Sequence, residues 1–110
     1  MAARYELHRT LGGQQFYWNL KAINGEIILT SETYVSHQGA HVGIVSCRVH
    51  SHNTANYVDK NNGNQCWFVL RAINGEIVGR SERYASNAGR DSGILSCKMN
   101  GPLAPIVDLT

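Results

Sequence analysis

Hydrophobic and polar side chains alternate along residues 16–22, with Phe16, Trp18, Leu20 and Ala22 on one side and Tyr17, Asn19 and Lys21 on the other. A period of two is the signature of a strand half-buried in a sheet. Asn24-Gly25 follows at once, the dipeptide that supplies the two left-handed residues of a type I′ turn, and residues 26–32 return as the partner strand. A two-residue turn places Ala22 opposite Ile27 and Leu20 opposite Leu29, so that the apolar sides of both strands coincide. The same pattern recurs around Asn74-Gly75. Ser36 and Ser86 then stand where helix N-caps belong, ahead of apolar residues at helical spacing: Ala40, Ile44 and Cys47, then Ile94 and Cys97. The spacing predicts a helix of about three turns in each half. Gly43 and Gly93 weaken these helices, and close approach of helix to sheet accounts for them. Shorter strands are predicted at 4–9, 56–60 and 105–109.

Shifted by 50 positions, the chain aligns with itself without a gap: residues 13–47 and 63–97 are identical at 18 of 35 positions. LKAINGEI at 20–27 meets LRAINGEI at 70–77, SETYVS meets SERYAS, and GIVSCR meets GILSCK. Stacked repeat arrays need three or more copies, so two copies predict one pseudo-symmetric domain, with repeats at about 4–53 and 54–103 and a closing strand at 105–109. A unit of about 50 residues is close to the size at which a lone core becomes marginal, which favours a shared one. Val107-Asp108 matches Val58-Asp59 at an offset of 49, one residue short of the main repeat. A terminal strand needs a sheet edge to accept its backbone groups, and an edge in the first repeat's territory is expected to do so.

The combined spacing of F/W-x-L-K/R-A-x-N-G-E-I, S-E-x-Y-x-S, G-I-x-S-C and the terminal V-D resembles the YegP-like family of small bacterial proteins of uncharacterised function, over nearly all of the chain and in both copies. The resemblance implies a unit of three strands, a helix and a last strand. Single-copy members are expected to pair as dimers with exchanged C-terminal strands, and a tandem member is similar to such a dimer fused in one chain. The fold class so implied is α+β: two pseudo-symmetric β-β-β-α repeats plus a C-terminal strand, in one mainly antiparallel sheet with two helices on one face. No activity follows. Cys47 and Cys97 stand where the family more often has valine, which favours packing over redox chemistry.

Composition narrows the function classes. The chain has 110 residues, is 43% hydrophobic and 16% charged, and has a net charge of +2, the profile of a globular protein without a strongly basic surface. Three cysteines without a C-x-x-C pair argue against a disulfide framework. The opening MAARYELHRT lacks an apolar signal core, and no stretch reaches the ~18 apolar residues of a membrane span, so a soluble cytoplasmic protein is expected.

Candidate chemistry is sparse. His37 and His41, four apart on the first predicted helix, have the spacing of a metal pair but no third ligand, and a solvated helix face is the better reading. His50 and His52 fall in the predicted inter-repeat loop and are expected to be exposed. Ser31-Glu32-x-Tyr34 and Ser81-Glu82-x-Tyr84 combine hydroxyl, carboxylate and phenol, yet no repeated base accompanies them. Backbone capping by serine and glutamate and plugging of the core by tyrosine explain them more simply. Cys66, at an inward strand position, reads as a small hydrophobe. No catalytic, metal or cofactor site is assigned.

The sheet face away from the helices carries the more telling set. Alternation assigns Tyr17, Asn19, Lys21, Ile28 and Thr30 to it in the first repeat and Trp67, Val69, Arg71, Val78 and Arg80 in the second, with Glu32 opposite Tyr17 and Glu82 opposite Trp67. Tyr17, Lys21, Trp67, Arg71 and Arg80 form the candidate partner-binding face of a non-enzymatic interaction module, its partner a protein or a second copy. Weak binding of single-stranded nucleic acid on the same face is the alternative, because aromatics interleaved with cations can stack and neutralise it. An unrecognised enzyme ranks third.

Overall fold

The computed structural model describes residues 2–110. Each half of the chain contributes three strands and a helix: β1 (Arg4–Arg9), β2 (Phe16–Lys21), β3 (Ile27–Ser31) and α1 (His37–His50), then β4 (Tyr57–Asn61), β5 (Cys66–Arg71), β6 (Ile77–Arg80) and α2 (Asn87–Asn100). A 3-10 turn, Thr54–Asn56, precedes β4, and β7 (Ile106–Asp108) follows α2. All seven strands share one sheet in the order β4-β5-β6-β3-β2-β1-β7, so the fold is α+β. Neighbours are antiparallel except β1 and β7, which run parallel. The terminal strand thus closes the first repeat's edge. Thr30 pairs with Arg80, its own equivalent 50 residues on, and the pseudo-twofold axis runs through that pair.

The hairpins differ from their expected geometry in an informative way. Gly25 and Gly75 have φ of 86° and 88°, whereas no residue other than glycine has positive φ among the described residues, so Asn24 and Asn74 are not left-handed and the turns are not type I′. Instead the Gly25 N–H donates to the Ala22 carbonyl and the Ala22 N–H to the Glu26 carbonyl, closing a three-residue loop with glycine as its left-handed member. The Asn24 side chain contributes by accepting from the Glu26 N–H at 3.0 Å. The extra loop residue moves the register by one, putting Lys21 opposite Ile27. A bulge at Ile28 moves it back, and Leu20 meets Leu29 as expected.

The bulge corrects the face assignment of two residues. Ile28 and its equivalent Val78 turn towards the helices and lie in the core at 4% exposure, not on the opposite face. The remainder of the core follows the alternation: Tyr5, Leu7, Trp18, Leu20, Leu29, Phe68 and Leu70 meet Ala40, Ile44, Cys47 and Cys97 from the helices. Ser36 and Ser86 cap the helices, accepting from the Gly39 and Gly89 N–H groups at 2.9 and 3.0 Å. Each helix runs 14 residues, a turn longer than the spacing predicts, and α1 includes His50, which is therefore helical.

Gly43 and Gly93 sit where the helices touch the sheet. A Cβ on Gly43 would collide with the Tyr34 hydroxyl and approach the Trp18 indole, and one on Gly93 would collide with the Tyr84 hydroxyl and approach Phe68. Gly43→Ala is expected to lower stability, because overpacking of about 1–3 kcal/mol outweighs the roughly 1 kcal/mol gained in helix propensity. Thermal denaturation checks this, and a raised melting temperature would show that the contact is loose.

Candidate functional site

One row of side chains crosses the sheet on the face without helices. Val58, Val69, Arg80, Thr30, Asn19, Glu6 and Val107 are cross-strand neighbours in sequence across all seven strands. Flanking this row, Tyr17 pairs with His8, Lys21 with Arg4, Trp67 with Lys60 and Arg71 with Ile77. The five predicted face residues, Tyr17, Lys21, Trp67, Arg71 and Arg80, therefore hold outward register positions on the two inner hairpins.

Four of the five make contacts that the sequence does not disclose. The Tyr17 ring stacks on His8 with centroids 5.2 Å apart, and the Arg83 guanidinium covers the Trp67 ring at 3.6 Å. Arg80 forms an ion pair with Glu32 at 2.9 Å across the two halves, so the Glu32 carboxylate is engaged by a cation of the other repeat. The cation on the Trp67 ring, Arg83, follows directly after Glu82 in the chain. Lys21 contacts Glu6 at 2.9 Å, as does Arg4 at 2.8 Å, and His8 Nε2 lies 3.3 Å from the same carboxylate. Arg71 buries its Nε without a hydrogen-bond partner among the described residues.

Glu6 is the residue that sequence reasoning missed. The i, i+2 series Arg4, Glu6, His8 was a legible signal, since alternation puts all three on one side of a strand. The Lys21 ammonium, joined by the Arg4 guanidinium, holds the Glu6 carboxyl below its ordinary value. A carboxyl with a depressed folded pKa contributes stability above its unfolded pKa, about 4.3, and that contribution disappears as pH falls through the folded pKa. Glu6→Gln is therefore expected to be less stable than wild type at pH 7 and to converge with it in acid. Urea denaturation at both pH values measures the difference, and a gap that persists below pH ~2 would contradict the linkage.

The face is unevenly charged. Arg4, Lys21, Lys60, Arg71 and Arg80 occupy outward positions and Arg83 joins them over Trp67, while Glu6 and Glu32 are the carboxylates paired with this set. The small net charge of the chain hides this segregation. Asp59, Asp91 and Asp108 lie on the helix side, where Arg90 and His37 face them.

The other candidates fall elsewhere. His37 Nε2 lies 2.8 Å from the Asp108 carboxylate and ties α1 to β7, and no group of three metal-ligating side chains occurs among the described residues. Bonds from the Thr110 hydroxyl and N–H, then His37, lower the Asp108 pKa to about 2. His50 ends α1 with Nδ1 2.8 Å from the Ser46 carbonyl, while His52 is exposed. Ser31 and Ser81 accept from the Trp18 and Phe68 N–H groups at 2.9 Å, where the ladder would otherwise lapse. Tyr34 and Tyr84 are half-buried against Gly43 and Gly93. Tyr34 shares a cleft of about 280 Å³ with Ser46 and Glu76, yet no hydrogen bond links these three among the described residues. The Cys66 thiol donates to Asn87 Oδ1 at 3.2 Å. Cys47 and Cys97 are fully buried at the core, and the neighbouring Cys97 sulfur together with burial pushes the Cys47 thiol well up. No helix is long and apolar enough to cross a membrane among the described residues.

Comparison with known proteins places the chain. The pattern of a family described as Domain of unknown function (DUF1508) matches residues 13–57 and again 61–108. UPF0339 protein plu2779 of Photorhabdus laumondii is 45% identical over 58 residues, 53% of this chain and 50% of that protein. UPF0339 protein PA0329 of Pseudomonas aeruginosa is 51% identical over 51 residues, 46% of each. The chain thus spans about half the length of the curated relatives it matches. Two solution structures overlay all of it: UPF0339 protein SO3888 of Shewanella oneidensis, with a TM-score of 0.91, 43% identity and 93% of that chain covered, and the E. coli protein of unknown function yegP, with a TM-score of 0.91, 41% identity and 95% covered. Matched twice by one family pattern and overlaid along its length by two bacterial relatives, the chain belongs to the DUF1508 family, the YegP-like proteins of unknown function.

Proposed function

We propose that the protein is a non-enzymatic interaction module that binds a protein partner on the helix-free face of its sheet. The observation that carries this reading is the gathering of Tyr17, Lys21, Trp67, Arg71 and Arg80 on one face, rich in the residue types that anchor interfaces. Trp67 is the anchor: it is half-buried, its ring is held by Arg83, and it lies beside Lys60 on the neighbouring strand. The cation excess favours a partner surface rich in carboxylates.

The same excess supports a second reading, single-stranded nucleic acid. Against it, His8 and Arg83 already occupy faces of the Tyr17 and Trp67 rings, so stacking bases would have to displace them. Trp67→Ala separates the two. It should leave folding nearly intact and cost a protein partner 2 kcal/mol or more at a central anchor, roughly. Arg71→Ala should matter less unless a partner carboxylate meets it. Oligonucleotide binding that weakens steeply with salt, and more so with Arg71 intact, would instead favour nucleic acid. If Trp67→Ala unfolds the chain, the residue is structural and the reading fails.

A further inference from the structure

The two edges of the sheet are built alike and finished differently. At one, β7 lies parallel to β1, with Ile106 beside Tyr5 and Asp108 beside Leu7. The Tyr5 N–H donates to the Pro105 carbonyl at 2.8 Å and the Leu109 N–H to the Leu7 carbonyl at 2.9 Å. At the other edge β4 is the last strand. Tyr57 and Asp59 hold the positions of Tyr5 and Leu7 there: the tyrosines pair with the equivalent Leu20 and Leu70, and Leu7 and Asp59 pair with the equivalent Trp18 and Phe68. Both tyrosine hydroxyls donate to a carbonyl at the end of a helix, Tyr5 to Gly101 and Tyr57 to Ser51. The correspondence runs at an offset of 52, because the loop 10–15 is two residues longer than 62–65.

The start of the tail also has a counterpart. The turn Thr54–Asn56 offers the Thr54 carbonyl to the Tyr57 N–H, as Pro105 does to Tyr5. Beyond it, where the first half has Ile106–Leu109, the second half has a groove of about 500 Å³ lined by Thr54, Tyr57, Val58, Asp59, Asp91 and Ile94. Burial records the difference: Tyr5, Leu7 and Ile44 are at most 1% exposed, whereas Tyr57 and Ile94 are half-buried and Asp59 is exposed. The molecule therefore fills one of two equivalent slots with its own tail.

We propose that the β4 edge takes an extended segment of a partner protein as an eighth strand, parallel to β4, with an aliphatic residue in the place of Ile106 and a basic residue in the place of Asp108. Edge addition of this kind draws its affinity from main-chain bonds and its selectivity from alternate side chains. The aliphatic residue covers Tyr57 and Ile94, as Ile106 packs on the core of the first half. The basic residue follows from the rim. Asp108 is matched to His37, but Asn87 stands in the place of that histidine and accepts from the Cys66 thiol. The exposed rim groups are the carboxylates of Asp59 and Asp91, and the cation between them, Arg90, is buried, 3.4 Å from one and 3.5 Å from the other. A lysine reaches both carboxylates from solvent, whereas the tail's own aspartate would meet like charge. That mismatch keeps copies of the chain from joining tail to edge in open series.

The test is an NMR titration of the full chain with two synthetic hexapeptides, the tail sequence PIVDLT and its lysine version PIVKLT. The lysine peptide should shift the amides of Tyr57–Asn61 and Ile94 saturably, and at least several-fold more tightly than the aspartate peptide. Asp59→Lys combined with Asp91→Lys should reverse that order. Equal binding of both peptides, shifts confined to β1 through displacement of the native tail, or no shift with either peptide at millimolar concentration would each overturn the proposal.

Discussion

Gly79→Leu is expected to destabilise the protein strongly, and Leu29→Gly in the same chain is expected to recover much of the loss. Leu29 and Gly79 are equivalent residues of the two repeats, brought together where β3 meets β6 at the pseudo-twofold axis. Leu29 is fully buried, and a Cβ on Gly79 would come within 2.8 Å of its Cγ and 2.9 Å of the Thr30 carbonyl. The Thr30 contact is with backbone, so a rotamer change cannot relieve it. Overpacking there costs about 1–3 kcal/mol or more, and Leu29→Gly alone leaves a cavity worth roughly 2–5 kcal/mol. In the double variant leucine fills the shared space from the other side, and the coupling should be favourable by more than 1 kcal/mol or so. Chemical denaturation of the two single variants and the double variant measures that coupling. Additive losses would show that the two sides of the axis are not interchangeable.

Removal of residues 105–110 is the second large effect. The tail adds backbone bonds from the Tyr5 and Leu109 N–H groups and half-buries Ile106 over a core that includes Tyr5. Val107 and Leu109 remain 38% and 55% exposed, so they contribute less than a wholly buried strand would. Ile106, these two backbone bonds and those of the β1–β7 ladder together amount to about 3–6 kcal/mol. The exposed His37–Asp108 pair adds little. A truncated protein should melt several degrees lower and expose Tyr5 to quenchers. An unchanged melting temperature would mean that β7 is not a working part of the sheet.

Much of this architecture is legible in the residues. Alternation at 16–22, serine caps at 36 and 86 and the 50-residue repeat are local signals, and they identify both hairpins, both helices and the shared sheet. The bulge at Ile28 is not local: it is the partner of a three-residue loop, and Asn-Gly is compatible with either loop length. Period two alone therefore assigns Ile28 and Val78 to the wrong face. The parallel pairing of β7 is likewise set by where α2 ends. On the candidate face, outward positions follow from period two, but the partners do not. Arg83 over Trp67 and Glu32 on Arg80 depend on how the chain leaves β3 and β6, where regular pairing stops after Ser31 and Arg80.

The helices offer a competing surface, with Val42, Val49, Leu95 and Met99 more than half exposed. The most direct test of the sheet-face reading is therefore a comparative capture from a native extract with three baits of verified folding: wild type, Trp67→Ala with Arg71→Ala, and Val42→Lys with Leu95→Lys. A partner held by wild type and by the helix-surface variant, and lost by the sheet variant, is the expected result. A partner lost by the helix-surface variant and kept by the sheet variant would contradict the account and move the interface to the helices.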